Sequence, residues 1–194
     1  MMKKDEKVFV LLHLNMALMP NDRGDLFEDP LNEILQKEKV GEVTGGGTLL
    51  NFKGMPTACD IEFSIYREKL EKFMSFLHRI SEIMGKGSYI EFEDKKEEIG
   101  VLEGLALILD AVHLDQKVYE ENDINTLLKG LDDDLKDVGS YHSYYNSDEA
   151  TYLYFYGESY DKMNKLLKEV VHKYPLCEKC QIVTTESLKM NTLQ

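Results

Sequence analysis

The sequence lacks the features that mark disulfide-rich proteins, membrane proteins, metalloproteins and common classes of enzyme. It has three cysteines, an odd number and too few for a disulfide framework, so we expect reduced thiols and a cytoplasmic protein. It has no apolar run near the ~20 residues that a membrane span needs, so no membrane partner is expected. It also has no metal-binding His spacing, phosphate-binding loop or nucleophile–base motif. The sequence therefore predicts no cofactor and no catalytic residue, and it favours a protein that is not an enzyme.

Acidic residues dominate the charge of the chain. The formal net charge is −13 over 194 residues, and both halves of the chain are acidic. Such a protein is repelled by phosphate backbones and by anionic lipid, so we expect no nucleic-acid partner. A charged protein partner would be basic, although the charge is also consistent with a role in solubility alone.

The most informative pattern is a repeated unit. Residues 60–93 predict a strand, an amphipathic helix and a strand, and residues 150–186 predict the same order. Equivalent positions, such as Phe63 and Phe155, lie about 90 residues apart. The chain therefore predicts two copies of one structural unit.

The remaining segments complete each copy. Residues 8–14 and 105–112 are apolar on both alternating sets of side chains, which is typical of central strands covered on both faces. Helices are predicted from Asp29 and from Asp123, and the tyrosine-rich segments 141–145 and 151–156 predict a hairpin. Residues 94–100 are charged and lack apolar periodicity, which indicates a connector. Residues 187–194 show no pattern.

Each half thus has the order strand–helix–strand–strand–helix–strand, which resembles the ferredoxin-like α+β fold with helices on one face of an antiparallel sheet. The predicted repeats are residues 1–98 and 99–194, and we expect them to pack together as one compact unit. The segments GEVTGGGT and YPLCEKC also resemble pieces of a family of small bacterial proteins with no demonstrated activity. This resemblance implies a fold and no particular function, because ferredoxin-like folds carry many activities.

Three consecutive glycines, Gly45, Gly46 and Gly47, interrupt a predicted strand over residues 42–52. Glycine inside a strand indicates a bulge or a close approach of another chain segment. A phosphate-binding loop would need a helix immediately after the glycines, and the residues that follow favour a strand. The structural interpretation is therefore preferred, and the ligand site remains an alternative.

Two histidines, His13 and His113, occupy equivalent positions near the ends of the first strands of the two halves. They could meet at a seam between the repeats, where a histidine could act as a base with Asp110 to orient it. A small-molecule sensor or an enzyme with a site there, beside the glycine run, is the alternative functional hypothesis.

Cys177 and Cys180 form a C-x-x-C pair, and His172 lies five residues before Cys177. Zinc needs four ligands, so this set is a weak metal candidate that would require a remote fourth residue. The pair also follows a helix rather than preceding one, which does not favour a redox role. We therefore expect these thiols to be structural.

The leading hypothesis is an acidic module that binds a basic protein, as an immunity protein neutralises a toxic nuclease. Tyr152, Tyr154 and Tyr156 should share the face opposite the helices, where they could fill the seam or form a docking surface. Glu62 and Glu91 are predicted on the corresponding face of the first half. The sequence predicts neither the identity of the partner nor the oligomeric state.

Overall fold

A computed structural model describes residues 6–190 of the chain, with the side chain of Met190 excluded. The chain divides into two compact units, Met1–Leu102 and Glu103–Gln194. Residues 1–5 and 191–194 of the predicted repeats lie outside the described range. None of the helices within that range is both long and apolar enough to cross a membrane.

The first unit is a five-stranded antiparallel sheet with its helices on one face. The strand order is β2-β3-β1-β4-β5, so β1 is the central strand. Without the added edge strand β5, this is the ferredoxin-like arrangement. The elements are β1 (Lys7–Leu14), α1 (Pro20–Arg23), a π-helical turn (Gly24–Glu28), α2 (Asp29–Lys37), β2 (Gly41–Leu50), β3 (Pro56–Tyr66), α3 (Leu70–Ile80), β4 (Ser88–Phe92) and β5 (Lys95–Ile99).

The core of this unit follows from the period-2 alternation of its strands. Even-numbered side chains of β1 and odd-numbered side chains of β3 point toward the helices, where their burial supplies the main stabilising term. All of these side chains are at most 4% exposed: Val8, Val10, Leu12, Leu14, Ile61, Phe63 and Ile65. Phe73 and Leu77 of α3 pack onto this face and are also buried. The expectation that both faces of β1 are covered is wrong, because Phe9 on the opposite face is 56% exposed.

The first helical segment begins earlier than the sequence predicted. Helical backbone runs from Pro20 to Lys37, and residues 20–25, expected as a loop, form its first turns. Pro20 suits a first helical turn because it needs no backbone donor there. Gly24 adopts ordinary helical angles and does not break the segment.

Two other segments also differ from expectation. Residues 94–100, predicted as a connector, contain β5, which pairs with β4 from Lys95 to Ile99. Residues 187–190, where no pattern was found, belong to helix α7 (Thr185–Met190). The predicted strand containing the glycine run is confirmed as β2, with a bulge between Val43 and Gly45.

The second unit repeats the arrangement with four strands in the order β7-β8-β6-β9. This order matches β2-β3-β1-β4 of the first unit, so the predicted double ferredoxin-like α+β fold is confirmed. Its elements are β6 (Glu103–Asp110), α4 (Gln116–Glu121), α5 (Ile124–Leu135), β7 (Ser140–Asn146), β8 (Ala150–Gly157), α6 (Tyr160–Val170), β9 (Gln181–Thr184) and α7.

The core of the second unit lies between its sheet and helices α5 and α6. Leu107 and Phe155 from the sheet, and Leu131 and Leu167 from the helices, have no exposed surface. The side chains of Asp123 and Ser159 accept hydrogen bonds from backbone N–H groups in the first turns of these helices. Helix α5 therefore begins where the sequence predicted, at Asp123.

Candidate functional site: the open face of the first sheet

The face of the first sheet opposite its helices is the candidate site, and we call it the open face. It is lined by the outward-facing residues of five strands. These include Phe9, Leu11 and His13 of β1, Gly45 and Gly47 of β2, Asp60 and Glu62 of β3, Tyr89 and Glu91 of β4, and Lys96 and Glu98 of β5.

The strand register places these residues in two rows across the sheet. One row runs Gly47, Asp60, His13, Tyr89 and Glu98 from edge to edge. The neighbouring row, two residues along each strand, runs Gly45, Glu62, Leu11, Glu91 and Lys96. Side chains directly opposite each other on adjacent strands are close enough to interact.

A histidine–carboxylate pair lies at the centre of the first row. Nδ1 of His13 lies 2.7 Å from an Oδ1 oxygen of Asp60, and the His13 side chain is 16% exposed. The imidazole also stacks on Tyr89, with ring centroids 4.5 Å apart and planes 15° from parallel. Asp60 and Tyr89 thus fix the ring from two sides, and Nε2 has no hydrogen-bond partner among residues 6–190. An imidazole oriented in this way can accept or donate a proton or bind a ligand.

The ring of Tyr89 has a second partner on the other side of β4. Nζ of Lys96 lies 3.4 Å from the centroid of the tyrosine ring. This is a short cation–π contact, of a kind that contributes about 0.5–1 kcal/mol at exposed sites. The order Lys96, Tyr89, His13 and Asp60 is therefore one continuous chain of contacts over four strands.

The second row carries carboxylates that lack a counter-ion. Glu62 and Glu91 flank Leu11 on the two neighbouring strands, and within the described part of the chain neither has an ion pair or hydrogen bond. The cations near one end of the face are already engaged. Lys7 pairs with Glu42 at 2.7 Å, and Arg67 pairs with Glu93 at 2.8 Å. The centre of the face therefore has an excess of negative charge.

The structure divides the three glycines between the two faces of β2. Gly45 and Gly47 lie on the open face beside Glu62 and Asp60, whereas Gly46 lies on the helix face beside Glu28. No helix begins after them, since β2 continues to Leu50. The preferred interpretation, a bulge with a close approach, is confirmed. The phosphate-loop alternative is wrong, because it needs a helix N-terminus directly after the glycines and the chain continues there as strand β2.

His13 and His113 each contact a carboxylate of their own unit. Nδ1 of His113 lies 3.2 Å from Asp110, and the His113 side chain is 69% exposed. Backbone N–H groups of Val112 and His113 donate to Asp110 and lower the pKa of its carboxyl group. A shared site of the two histidines remains a prediction.

The tyrosines of β8 are less accessible than a docking surface requires. Tyr154 and Tyr156 are 1% and 2% exposed, and Tyr152 is half-buried. Burial is the main cause that raises the pKa of the Tyr154 hydroxyl. The proposed exposure of Tyr154 and Tyr156 is therefore wrong, because their aromatic rings are already removed from solvent.

The cysteine pair does not form a metal centre in the described structure. Cys177 is buried, Cys180 is half-buried and His172 is exposed. Among residues 6–190, no three His, Cys, Asp or Glu side chains are grouped so that they could hold a metal ion. Cys177 donates to the sulfur of Cys180, which lowers the pKa of the Cys180 thiol and raises that of Cys177.

Comparison with known proteins identifies no family. No family model matches the chain, and no curated protein matches it. The chain is similar to the regulatory subunit of aspartate kinase from Thermus thermophilus, with 8% identity over 86% of this chain and 95% of that one. It is also similar to a protein from Bacteroides thetaiotaomicron, with 14% identity over 93% and 95% of the two chains. A third similar structure contains the first two RRM domains of a yeast poly(U)-binding protein, with 12% identity over 90% and 98%.

The TM-scores of these three alignments are 0.29, 0.28 and 0.27. Such scores are too low to carry an argument about this chain. The assignment of the fold rests on the strand order of the two sheets, and nothing about function follows from these structures.

Sequence reasoning missed three contributors to the open face: Phe9, Asp60 and Lys96. Phe9 was expected to be covered, and Lys96 lay in a segment expected to be a connector. Asp60 could be placed beside His13 only after the antiparallel register of β1 and β3 was known, because alternation along β3 does not tell which residue of β1 lies opposite. The alternation of polar and apolar residues in β3 was the one sequence signal that could have placed Asp60 on the open face.

Proposed function

We propose that this chain is a non-catalytic protein-binding module and that its open face binds a basic partner. The observation that carries the proposal is the exposed phenylalanine on the central strand beside carboxylates without a counter-ion. Phe9 is 56% exposed on β1, and Glu62 and Glu91 flank the next outward residue, Leu11.

The apolar part of the face supports binding to a macromolecule. An aromatic side chain on a rigid central strand can be buried by a partner with little loss of conformational freedom. The central strand β1 is paired on both sides, so a partner would contact side chains and would not need to open the sheet. Aromatic anchors surrounded by polar groups are typical of protein interfaces.

The charge of the face indicates the chemistry of the partner. Glu62, Glu91 and Glu98 have no ion pair among the described residues, and Lys96 is the one cation between them on these two rows. Together with the net charge of −13, this favours a surface rich in Lys and Arg. An immunity-type inhibitor of a basic enzyme in the bacterial cytoplasm is the specific form of this proposal, and the three free thiols are consistent with that compartment.

The proposal is tested by affinity capture followed by calorimetry with the purified partner. We expect Glu62→Gln combined with Glu91→Gln to lower the affinity by about tenfold or more, and to weaken its dependence on salt, because two carboxylates lose their charge. Phe9→Ala should lower the affinity at every salt concentration. The matched control is Glu33→Gln combined with Glu71→Gln, which changes the net charge equally on exposed positions of α2 and α3.

Equal affinities for the two double variants would contradict the proposal, because binding would then depend on net charge and not on the open face. A partner with an acidic surface would also contradict it.

A small-molecule sensor or an enzyme is the second candidate, and the His13–Asp60 pair is the observation that favours it. A ligand held by His13 should raise the melting temperature by mass action. A shift with a nucleotide, an amino acid or a metal ion that is lost in His13→Gln and kept in His113→Gln would favour this candidate over protein binding.

A further inference from the structure

The second unit contains a cavity that the proposed protein-binding function does not use. It has a volume of about 560 Å³ and lies between the end of the sheet and the start of α5. Its residues come from β6, β7, β8 and the α4–α5 junction, all within one unit. Sites for small ligands are typically about 300–1,000 Å³, so the cavity has the size of a small-molecule site.

The floor of the cavity is apolar. Leu109 and Leu153 come from the two central strands and Leu176 from the segment before β9, and they are 4%, 1% and 9% exposed. Leu128 forms part of the wall on α5. This floor can bury a hydrocarbon portion of a ligand, at about 25 cal/mol per Å² of apolar surface removed from water.

The rim of the cavity is polar and negatively charged. It includes two acidic residues, Asp110 and Asp123, and three asparagines, but none of its lining residues is Lys, Arg or His. His113, which contacts Asp110, lies outside the lining. A cavity with two carboxylates and no lining cation favours a positively charged ligand.

The start of α5 is the one feature that would favour an anion. A helix N-terminus carries about +0.5 charge. Asp123 caps this helix by accepting from the N–H of Thr126, and its full negative charge outweighs that partial charge. Asp110, a second acidic residue of the lining, lies at the end of β6.

Two tyrosines also line the cavity. Tyr144 lines the cavity and is 44% exposed, and its hydroxyl has no hydrogen-bond partner within residues 6–190. Tyr119 also lines the cavity, and its hydroxyl accepts from the N–H of Leu114. An aromatic ring beside carboxylates suits an ammonium group, because the face of the ring attracts cations.

We propose that this cavity is a binding site for a small organic cation, a molecule with an ammonium group and an apolar body. The ammonium group binds at the rim formed by Asp110, Asp123 and Tyr144, and the apolar body lies on the leucine floor.

Calorimetry of the full chain with three probes of similar size tests the proposal. The probes are phenethylamine, 3-phenylpropionate and 3-phenylpropan-1-ol, which are cationic, anionic and neutral. We expect the amine to bind at least about tenfold more tightly than the propionate, with the alcohol between them. Equal affinities of the three probes, or no binding of the amine, would overturn the proposal.

Isosteric variants separate the charge of the rim from the fold. Asp110→Asn keeps an acceptor for the N–H groups of Val112 and His113, and Asp123→Asn keeps an equally good helix cap. The combined variant should bind the amine about tenfold less tightly and the alcohol within about twofold of the unchanged protein. The matched control is Glu158→Gln combined with Glu169→Gln, at exposed positions away from the cavity, which should change neither affinity.

An amine affinity that is the same in the Asn variant and in the control would overturn the assignment to this rim. Because this site lies in the second unit, Glu62→Gln combined with Glu91→Gln should leave amine binding unchanged, so this proposal and the protein-binding proposal fail independently.

Discussion

At the scale of single residues, the burial of His142 gives the protein a defined response to pH. Nδ1 of His142 donates to the carbonyl oxygen of Ser140 at 3.0 Å, and its ring packs edge-on against Tyr156 at 5.2 Å between centroids. Burial lowers the pKa of His142 below its ordinary value of 6.5. The unfolded chain therefore binds a proton at a pH where the folded chain does not.

This difference in bound protons makes the folded state less stable as the pH falls. The contribution of His142 to stability is fully present above a pH of about 6.5 and is lost as the pH falls below it. We expect His142→Gln to be less stable than the unchanged protein at pH ~8, with the difference shrinking toward pH ~5. Urea unfolding at a series of pH values measures this difference.

His172→Gln, at an exposed position, is the control for the loss of a histidine side chain. A difference for His142→Gln that grows toward low pH would contradict the assignment. His78 acts in the opposite direction, because Glu97 and the carbonyl oxygen of Met74 raise its pKa, so its contribution is lost as the pH rises.

At the scale of elements, Gly46 allows the first helical segment to pack closely on β2. A Cβ at Gly46 would collide with an Oε1 oxygen of Glu28 and lie 3.1 Å from the carbonyl oxygen of Asp60. Glu28 is paired with Arg23 at 3.3 Å, and Arg23, only 9% exposed, also donates to Thr48 of β2 at 2.8 Å. The glycine therefore makes room for a largely buried network that joins helix to strand.

Gly46→Ala should lower the free energy of unfolding by about 1–3 kcal/mol, because Glu28 must move away from a guanidinium group that is largely buried. Gly47→Ala is the matched control, since a Cβ there would meet nothing within 4 Å. It should change stability by less than about 0.5 kcal/mol or increase it slightly, because alanine restricts the unfolded chain more than glycine does. Urea unfolding compares the two variants, and equal effects would contradict the close-packing account.

The same elements show what the sequence could predict. Strands with one buried face, such as β3, were recognised because burial imposes alternation. Strand β5 was missed because four of its five residues are exposed, so nothing imposed a pattern on Lys95–Ile99. Lys and Glu at a sheet edge are also a common protection against unwanted strand pairing. The start of α1 was missed because Pro20 and Gly24 are more often found in loops.

The candidate site was predictable only in part. His13, Gly45, Gly47, Glu62 and Glu91 were each proposed from the sequence, and the structure places them on one face. The partner of His13 depends on the pairing of β1 with β3, and His13 and Asp60 are 47 residues apart in the chain. Sequence periodicity fixes which face a side chain occupies, but it does not fix which residue lies opposite.

At the scale of the whole molecule, the two units share one topology but differ in the sheet face opposite their helices. That face is exposed in the first unit and buried in the second. On the central strand of the first unit, Phe9 is 56% exposed, whereas Ala106 on the central strand of the second is fully buried. The outward residue Gly104 lies so close to Thr185, at the start of α7, that a Cβ there would collide with its side chain. The outward residues Gly104 and Ala106 of β6 are small and lie on a covered face, whereas Phe9 of β1 is large and lies on an open face.

This difference assigns the proposed functions to different units. An open sheet face is suited to a macromolecular partner, and a closed sheet with a cavity at its end is suited to a small ligand. The central claim is that the open face of the first sheet is the protein-binding surface.

Hydrogen exchange of the whole chain, with and without its captured partner, tests that claim most directly. The account predicts slower exchange on binding in residues 7–13, 60–66 and 89–98, and unchanged exchange in helices α2 and α3. Slower exchange confined to the helices of the first unit, or to the second unit, would contradict it.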